Sequence, residues 1–79
     1  MNMLFFYLSV IENHENDDKF KSLYYKYEKK VFSIAYGFTN DFHDAEDASQ
    51  AAFFAIARNI DKINTDDEAK TKIYVYKSV

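Results

Sequence analysis

Apolar residues recur every three or four positions along most of this chain, a spacing that places them on one side of an α-helix. The pattern is longest between residues 20 and 38, where it extends over about five helical turns. Gly37 is expected to weaken the last of these turns. The predicted inner face of this helix consists of Phe20, Leu23, Tyr24, Tyr27, Val31, Ile34, Ala35 and Phe38. A flanking stripe against which a second neighbour could pack consists of Tyr25, Phe32 and Tyr36.

A second amphipathic segment follows Asp41, a residue that suits the amino-terminal cap of a helix. Its first turns carry acidic residues, which interact favourably with the positive end of the helix dipole. The predicted inner face consists of Phe42, Ala45, Ser49, Ala52, Phe53, Ile56 and Ile60. The predicted outer side consists of Asp44, Asp47, Ala51, Phe54 and Arg58, with Gln50 at its margin. A solvent-facing Phe54 among polar residues is typical of the centre of a protein interface.

A shorter helix is predicted on each side of this pair. The first runs from about Met3 to Glu12, and polar residues separate it from Asn16, the expected cap of the long helix. Its inner face consists of Leu4, Leu8 and Ile11. The last helix is expected to begin with a capping box that pairs Thr65 with Glu68. Its inner face consists of Ala69, Ile73 and Tyr76. The sequence thus predicts an all-α fold, a compact bundle of three to four helices.

Composition supports one helical domain over residues 1–79 and narrows its function. The chain has no Pro and one Gly, which disfavours a turn-rich β fold, and it has no Cys for disulfides or thiolate metal sites. It has no phosphate-binding loop and no nucleophile beside a base, so we expect no enzymatic activity and no cofactor. A metal site at His43, Asp44 and Asp47 is disfavoured, because a single His beside helix-capping acids is usually ordinary surface.

The apolar opening MNMLFFYLSVI is too short to span a bilayer and lacks the basic leader of a signal peptide. We therefore expect no membrane association, and we interpret this stretch as a docked or fraying amphipathic helix.

Charge is unevenly distributed along the chain. The net charge of −3 argues against a general DNA-binding protein. Residues 31–57 contain no Lys or Arg, whereas Lys-rich stretches lie on both sides of them. The acids of this central part are Asp41, Asp44, Glu46 and Asp47. One molecule could therefore meet partners of opposite charge on different faces.

Two motifs carry a resemblance to a known family. Leu23, Tyr24 and Tyr27 match the family pattern LY-x-x-Y. The pattern D-A-E-D-A-x-Q-x-x-F is matched by Asp44, Ala45, Glu46, Asp47, Ala48, Gln50 and Phe53. On these residues the chain resembles, over about residues 20–79, the second conserved region of sigma-70 family transcription initiation factors. The resemblance is closest to the extracytoplasmic-function branch and to short sigma factors of Firmicutes.

The resemblance implies a domain that binds core RNA polymerase. In the family, the exposed side of the third helix contacts a coiled coil in the clamp of the largest catalytic subunit. That coiled coil is rich in Arg, so carboxylates beside an apolar anchor suit it. The matching positions here are Asp44, Asp47, Gln50, Phe54 and Arg58. The family usually carries an acid after the Gln, where this chain has Ala51, so weaker binding is expected.

The resemblance also implies a contribution to recognition and melting of the promoter −10 element. Candidate contacts to the single-stranded non-template strand, with aromatics stacking on bases and Lys near phosphates, are Lys70, Lys72, Tyr74, Tyr76 and Lys77. The same residues could equally form half of a packed helix. The chain ends where the family's melting helix continues, and the domain that reads the −35 element is absent. We therefore expect a domain that is truncated at its carboxyl end. It could be an isolated domain, a truncated gene product or a polymerase-binding remnant. DNA binding would then require the missing segment.

A different mode of DNA binding and a purely regulatory role are the alternatives. A helix-turn-helix DNA reader is disfavoured because the outer side of the third helix is acidic. A helical protein-interaction or regulatory module, such as a degenerate sigma fragment without promoter binding, stays open because it could use the same face. In the favoured interpretation the chain is a bacterial, cytoplasmic transcription factor with core RNA polymerase and promoter DNA as partners. An anti-sigma factor is a further candidate partner.

Overall fold

The fold, taken from a computed structural model, consists of helices joined by short turns. The structure describes residues 3–79, so the first two residues of the apolar opening lie outside the described part. The helices are α1 (Leu4–Ser9), α2 (Asp17–Thr39), α3 (Phe42–Arg58) and α4 (Glu68–Lys77). Two short 3₁₀ turns occupy His14–Asn16 and Ile60–Lys62. The described residues contain no strand, and the predicted all-α fold is confirmed.

The connection between α2 and α3 is short because both helix ends are capped locally. Asn40 adopts a left-handed conformation with φ 55°, and its N–H donates to the carbonyl of Tyr36 at 2.8 Å, which ends α2. The Asp41 side chain then accepts a hydrogen bond from the N–H of Asp44 at 3.0 Å. The predicted cap of α3 is therefore confirmed, and Gly37 lies in the last turn of α2, where the sequence placed it. Because only two residues separate α2 from α3, the helices form an antiparallel hairpin.

Aromatic rings form the centre of the core at the end of the hairpin distant from this connection. Tyr7, Phe20, Tyr24 and Phe53 contact one another with ring centroids 4.9 to 6.5 Å apart. Burial raises the pKa of the Tyr7 phenol to about 12 and is also the largest cause that raises the pKa of the Tyr24 phenol to about 12. Both phenols are therefore neutral at physiological pH. Around them lie the other buried apolar residues Leu4, Ile11, Leu23, Tyr27, Val31, Ala52, Ile56, Ala57, Ile60, Ile63 and Val75.

The predicted inner faces of α2 and α3 are confirmed over most of their length and wrong at the hairpin connection. Phe38 is 80% exposed and Phe42 is 59% exposed, although the helical spacing placed both inside. The ring contacts that α1 and α4 make with α2 involve Phe20, Tyr24 and Tyr27, which lie toward the other end of α2. The last turn of α2 and the first turn of α3 lie away from these contacts, and the Phe42 ring packs instead against Phe32 of α2, with ring centroids 5.2 Å apart. Ile34 and Ser49 are half-buried.

The first helix is shorter than predicted, and its beginning is more deeply buried. α1 ends at Ser9, and Ile11 is buried just beyond it. Tyr7, which the spacing argument missed, is only 2% exposed because its ring enters the aromatic centre of the core. The side chain of Asn16 makes no capping hydrogen bond, because a 3₁₀ turn leads directly into α2; Asn13 caps that turn instead. Asn16 therefore stands directly before α2, as predicted, but the predicted capping hydrogen bond of its side chain was wrong.

The last helix begins later and faces the core with different residues than predicted. Its cap is Asp67, which accepts a hydrogen bond from the N–H of Lys70 at 3.1 Å, so the predicted Thr65 cap was wrong. The buried positions of α4 are Thr71 and Val75. Ala69 and Ile73 are exposed and Tyr76 is half-buried, so the predicted inner face was rotated away from the true one.

Glu68 has a different role from the one that the capping box gave it. It accepts a hydrogen bond from the ammonium of Lys26 on α2, forming an exposed ion pair. This hydrogen bond raises the pKa of Lys26 and lowers the pKa of Glu68. The pair connects the first residue of α4 to α2 at the surface.

Candidate functional site: the outer face of α3

Five sequence-predicted polymerase-binding residues lie along one side of α3. They are Asp44, Asp47, Gln50, Phe54 and Arg58, hereafter the α3 face. Steps of three and four residues bring their side chains into one stripe on the helix surface. Asp44, Asp47 and Arg58 are exposed, whereas Gln50 and Phe54 are half-buried. The structure therefore brings the predicted residues together, with acids near the beginning of α3 and an aromatic ring toward its end.

Phe54 differs from the prediction of a solvent-facing ring. It packs against the edge of the core, and its ring centroid lies 5.8 Å from that of Phe6 on α1. The guanidinium carbon of Arg58 lies 5.6 Å from the Phe54 ring centroid, a cation–π distance. Phe6 was missed because nothing local in the sequence pairs it with α3. The one feature of the sequence that could have indicated this contact is that Phe6 is a large apolar residue outside the predicted inner face of the first helix.

The carboxylates of the α3 face are free of intramolecular ion pairs within the described part of the chain. The three ion pairs of residues 3–79 are His14–Asp17, Lys26–Glu68 and Lys70–Asp67. None involves Asp44 or Asp47, and Ala51 between them and Phe54 is exposed and small. The negative charge of this region is therefore available to an external partner.

Two grooves border the α3 face, one lined in part by Tyr7 of α1 and the other by the segment that follows α1. Gln50 borders the first groove, whose other lining residues include Met3, Tyr24, Phe32 and Glu46. Phe54 and Arg58 border the second groove, which is also lined by Val10, Glu12, Asn13 and Asp61. Phe6 and Phe54 contact each other where α1 meets α3, so the surface beside the α3 face is uneven.

The predicted DNA-contacting residues of α4 are only partly brought together. Lys70 and Lys77 are exposed, and their seven-residue spacing places them on one side of the helix. The Lys72 ammonium lies 5.6 Å from the Tyr76 ring centroid, and Tyr76 packs edge-on against Tyr27 at 6.3 Å. Tyr74 is half-buried against the core. The lysines are therefore available to a partner, whereas both tyrosines are partly engaged in packing.

Residues 3–79 also bear on metal binding and membrane insertion. No group of three His, Cys, Asp or Glu side chains in this range is arranged to hold a metal ion. His43 lies edge-on to Phe42 with ring centroids 6.4 Å apart. None of the described helices combines the length and apolar character needed to cross a membrane.

Comparison with known proteins identifies the family. The family model for sigma-70 region 2 matches residues 23–79, which include all of α3 and α4 and most of α2. No curated protein and no solved structure matches the chain at a significant level. Proteins with this region act in transcription initiation, through binding of core RNA polymerase and recognition of promoters. The match covers more than half of the chain, and the chain therefore belongs to the sigma-70 region 2 family.

Proposed function

We propose that the chain binds core RNA polymerase through the α3 face, with the clamp coiled coil of the largest subunit as its partner. The observation that carries this proposal is a stripe of unpaired carboxylates next to a half-buried aromatic ring. Such a stripe suits a helical partner that presents Arg side chains around an apolar residue. α3 packs against α2 in the antiparallel hairpin, so the stripe lies on a helix that is already formed before binding.

Gln50→Ala is expected to weaken binding to core RNA polymerase about tenfold, the loss expected when a partner's polar group is left unpaired. Gln50 is half-buried at the border of a groove, and its side-chain amide has no hydrogen-bond partner within residues 3–79. Its amide is therefore available to the partner. Binding of purified bacterial core RNA polymerase to wild type and variant, measured on a biosensor surface, tests this. Ser33→Ala, which removes an exposed polar group from α2, should bind as wild type. Equal affinity for Gln50→Ala and wild type would contradict the proposed role of Gln50.

We further propose that the chain, within a sigma factor, contributes to recognition and melting of the −10 element through α4. The exposed Lys70 and Lys77 support a contact to the phosphates of the non-template strand. Tyr74 and Tyr76 are the candidate stacking residues, each with part of its ring still accessible. Lys72 lies beside Tyr76 and adds a further positive charge.

Lys77→Glu is expected to weaken binding of a single-stranded −10 oligonucleotide several-fold in the complex with core RNA polymerase. The reason is that one phosphate contact is replaced by repulsion, and each such contact contributes a salt-dependent share of the affinity. Fluorescence anisotropy of the labelled oligonucleotide at two salt concentrations measures the change. Lys30→Glu, a charge reversal at an exposed lysine of α2, is the control. If both variants bind the oligonucleotide equally, the assignment of Lys77 to DNA binding is wrong.

A protein-interaction or regulatory module without promoter binding is the alternative. It is favoured by the partial burial of both tyrosines of α4, which limits base stacking. In that case the α3 face would still bind a protein, and an anti-sigma factor is the candidate besides polymerase. Residues 1–79 would then act as one cytoplasmic binding domain. Retention of polymerase binding with no effect of Lys77→Glu on DNA would support this alternative.

A further inference from the structure

An apolar residue outside the family-matched range adjoins the α3 face. Phe6 on α1 is 49% exposed, and its ring lies 5.8 Å from that of Phe54 with 32° between the ring planes. The matched range begins at residue 23, so α1 lies entirely outside it. Two half-buried aromatic rings from different helices therefore form one apolar patch, hereafter the Phe6–Phe54 patch. A partner that reaches Phe54 meets Phe6 as well, unless α1 moves away.

The packing of α1 argues that it stays in place. Leu4 is 5% exposed and Tyr7 is 2% exposed, and the Tyr7 ring contacts the rings of Phe20 and Phe53. Removing α1 would expose these side chains to water, whereas leaving it in place requires no contact to be broken. The loss would exceed that of the single ring contact between Phe6 and Phe54. α1 is therefore a fixed part of the surface and not a lid that a partner displaces.

Charge and position then identify the partner. α1 carries no charged residue, and the acids Asp44 and Asp47 lie on the same face of α3, about two to three turns before Phe54. The Phe6–Phe54 patch thus continues the acidic stripe and does not form a separate site. A partner that fits both parts presents basic side chains next to an apolar one, which is the chemistry already proposed for the polymerase clamp.

We propose that α1 forms part of the polymerase-binding surface, with Phe6 and Phe54 together as its apolar anchor. This inference rests on the proposed function of the α3 face. It assigns a binding role to a residue that the family motifs do not reach. It also offers a physical reason why this chain can lack the acid usually found at the position of Ala51, because Phe6 adds apolar contact area to the interface.

The test compares affinities of the full chain for purified core RNA polymerase attached to a biosensor surface. Phe6→Ala is expected to weaken binding about tenfold, because truncating a ring at the centre of an interface removes a large contact area. Phe38→Ala is the matched control, because this ring is also exposed and lies at the other end of the α2–α3 hairpin. Asp47→Lys reports on the proposed function independently of α1. Far-UV circular dichroism shows whether each variant is folded.

A second measurement uses the wild-type chain and does not depend on the folding of a variant. Hydroxyl-radical footprinting compares oxidation of Phe6 and Phe38 in the free chain and in the complex with core RNA polymerase. We expect Phe6 to become protected and Phe38 to remain as reactive as in the free chain.

The outcomes separate the two proposals. Weaker binding of both Asp47→Lys and Phe6→Ala, with protection of Phe6, supports the inference. Weaker binding of Asp47→Lys alone, with Phe6 unprotected, overturns the role of α1 and leaves the proposed function standing. Tighter binding of Phe6→Ala would show that α1 shields Phe54, which also overturns the inference. Absence of binding by the folded wild type would overturn both.

Discussion

Phe20→Ala is expected to remove a large fraction of the stability of the fold. Phe20 is fully buried, and its ring contacts those of Tyr7, Tyr24 and Phe53. Truncating a buried Phe to Ala lowers the free energy of unfolding by about 3–5 kcal/mol. A domain of this length has a total stability of only about 4–12 kcal/mol, at the usual share per residue. The cavity would lie where α1, α2 and α3 meet, so α1 is expected to detach first.

Urea unfolding followed by far-UV circular dichroism measures this loss. The matched control is Phe38→Ala, which removes a ring that is 80% exposed and should change the free energy of unfolding by less than about 0.5 kcal/mol. A midpoint for Phe20→Ala equal to that of wild type would show that the core is not built around this ring.

Asp47→Lys is expected to weaken binding to core RNA polymerase about 100-fold or more. Asp47 is exposed and has no ion-pair partner within residues 3–79, so its charge is directed outward. Close charge pairs across interfaces couple by about 1.5–7 kcal/mol, and like charges facing each other cost several kcal/mol. A loss of about 3 kcal/mol corresponds to roughly 100-fold in affinity. Because the residue is exposed before binding, the effect should appear largely in the association rate.

Asp66→Lys is the control for net charge. It makes the same reversal at an exposed acid in the turn before α4, away from the α3 face. Its affinity should stay close to that of wild type, and the difference between the two variants should shrink as salt is raised. If both variants lose the same affinity, the effect comes from the overall charge of the chain, and Asp47 has no specific role.

Local signals were sufficient to predict the two long helices. The spacing of apolar residues predicted α2 and α3, and the Asp41 cap was predicted because an Asp side chain accepts a backbone hydrogen bond within three residues. Family membership was predicted from two motifs on these helices and is confirmed by the match over residues 23–79. The extracytoplasmic-function branch and the individual site residues stay predictions.

Local signals were not sufficient at the helix ends. Thr65 and Asp67 are both good capping residues, and only the packing of Thr71 and Val75 into the core decides between them. These contacts join residues that are distant in the sequence. The rotation of α4 therefore followed from its neighbours, which a periodicity argument cannot include.

The same limit applies to the α3 face. The exposure of Asp44 and Asp47 follows from their position opposite the apolar side of one helix, and it was predicted correctly. The environment of Phe54 depends on Phe6, which belongs to a different helix and was not placed on this face. A spacing argument treats each helix alone, so it gave Phe54 a solvent-facing position that α1 partly covers.

By itself the sequence determined that this chain is helical, where its two long helices lie, which side of α3 is acidic, and to which family it belongs. These properties depend on interactions within a few residues and on side-chain types in a fixed order. Only the tertiary structure decided which aromatic rings are buried, how α4 is rotated, and that α1 lies against Phe54. Those outcomes depend on close packing between segments that are distant in the sequence, because several apolar faces can fill the same core space.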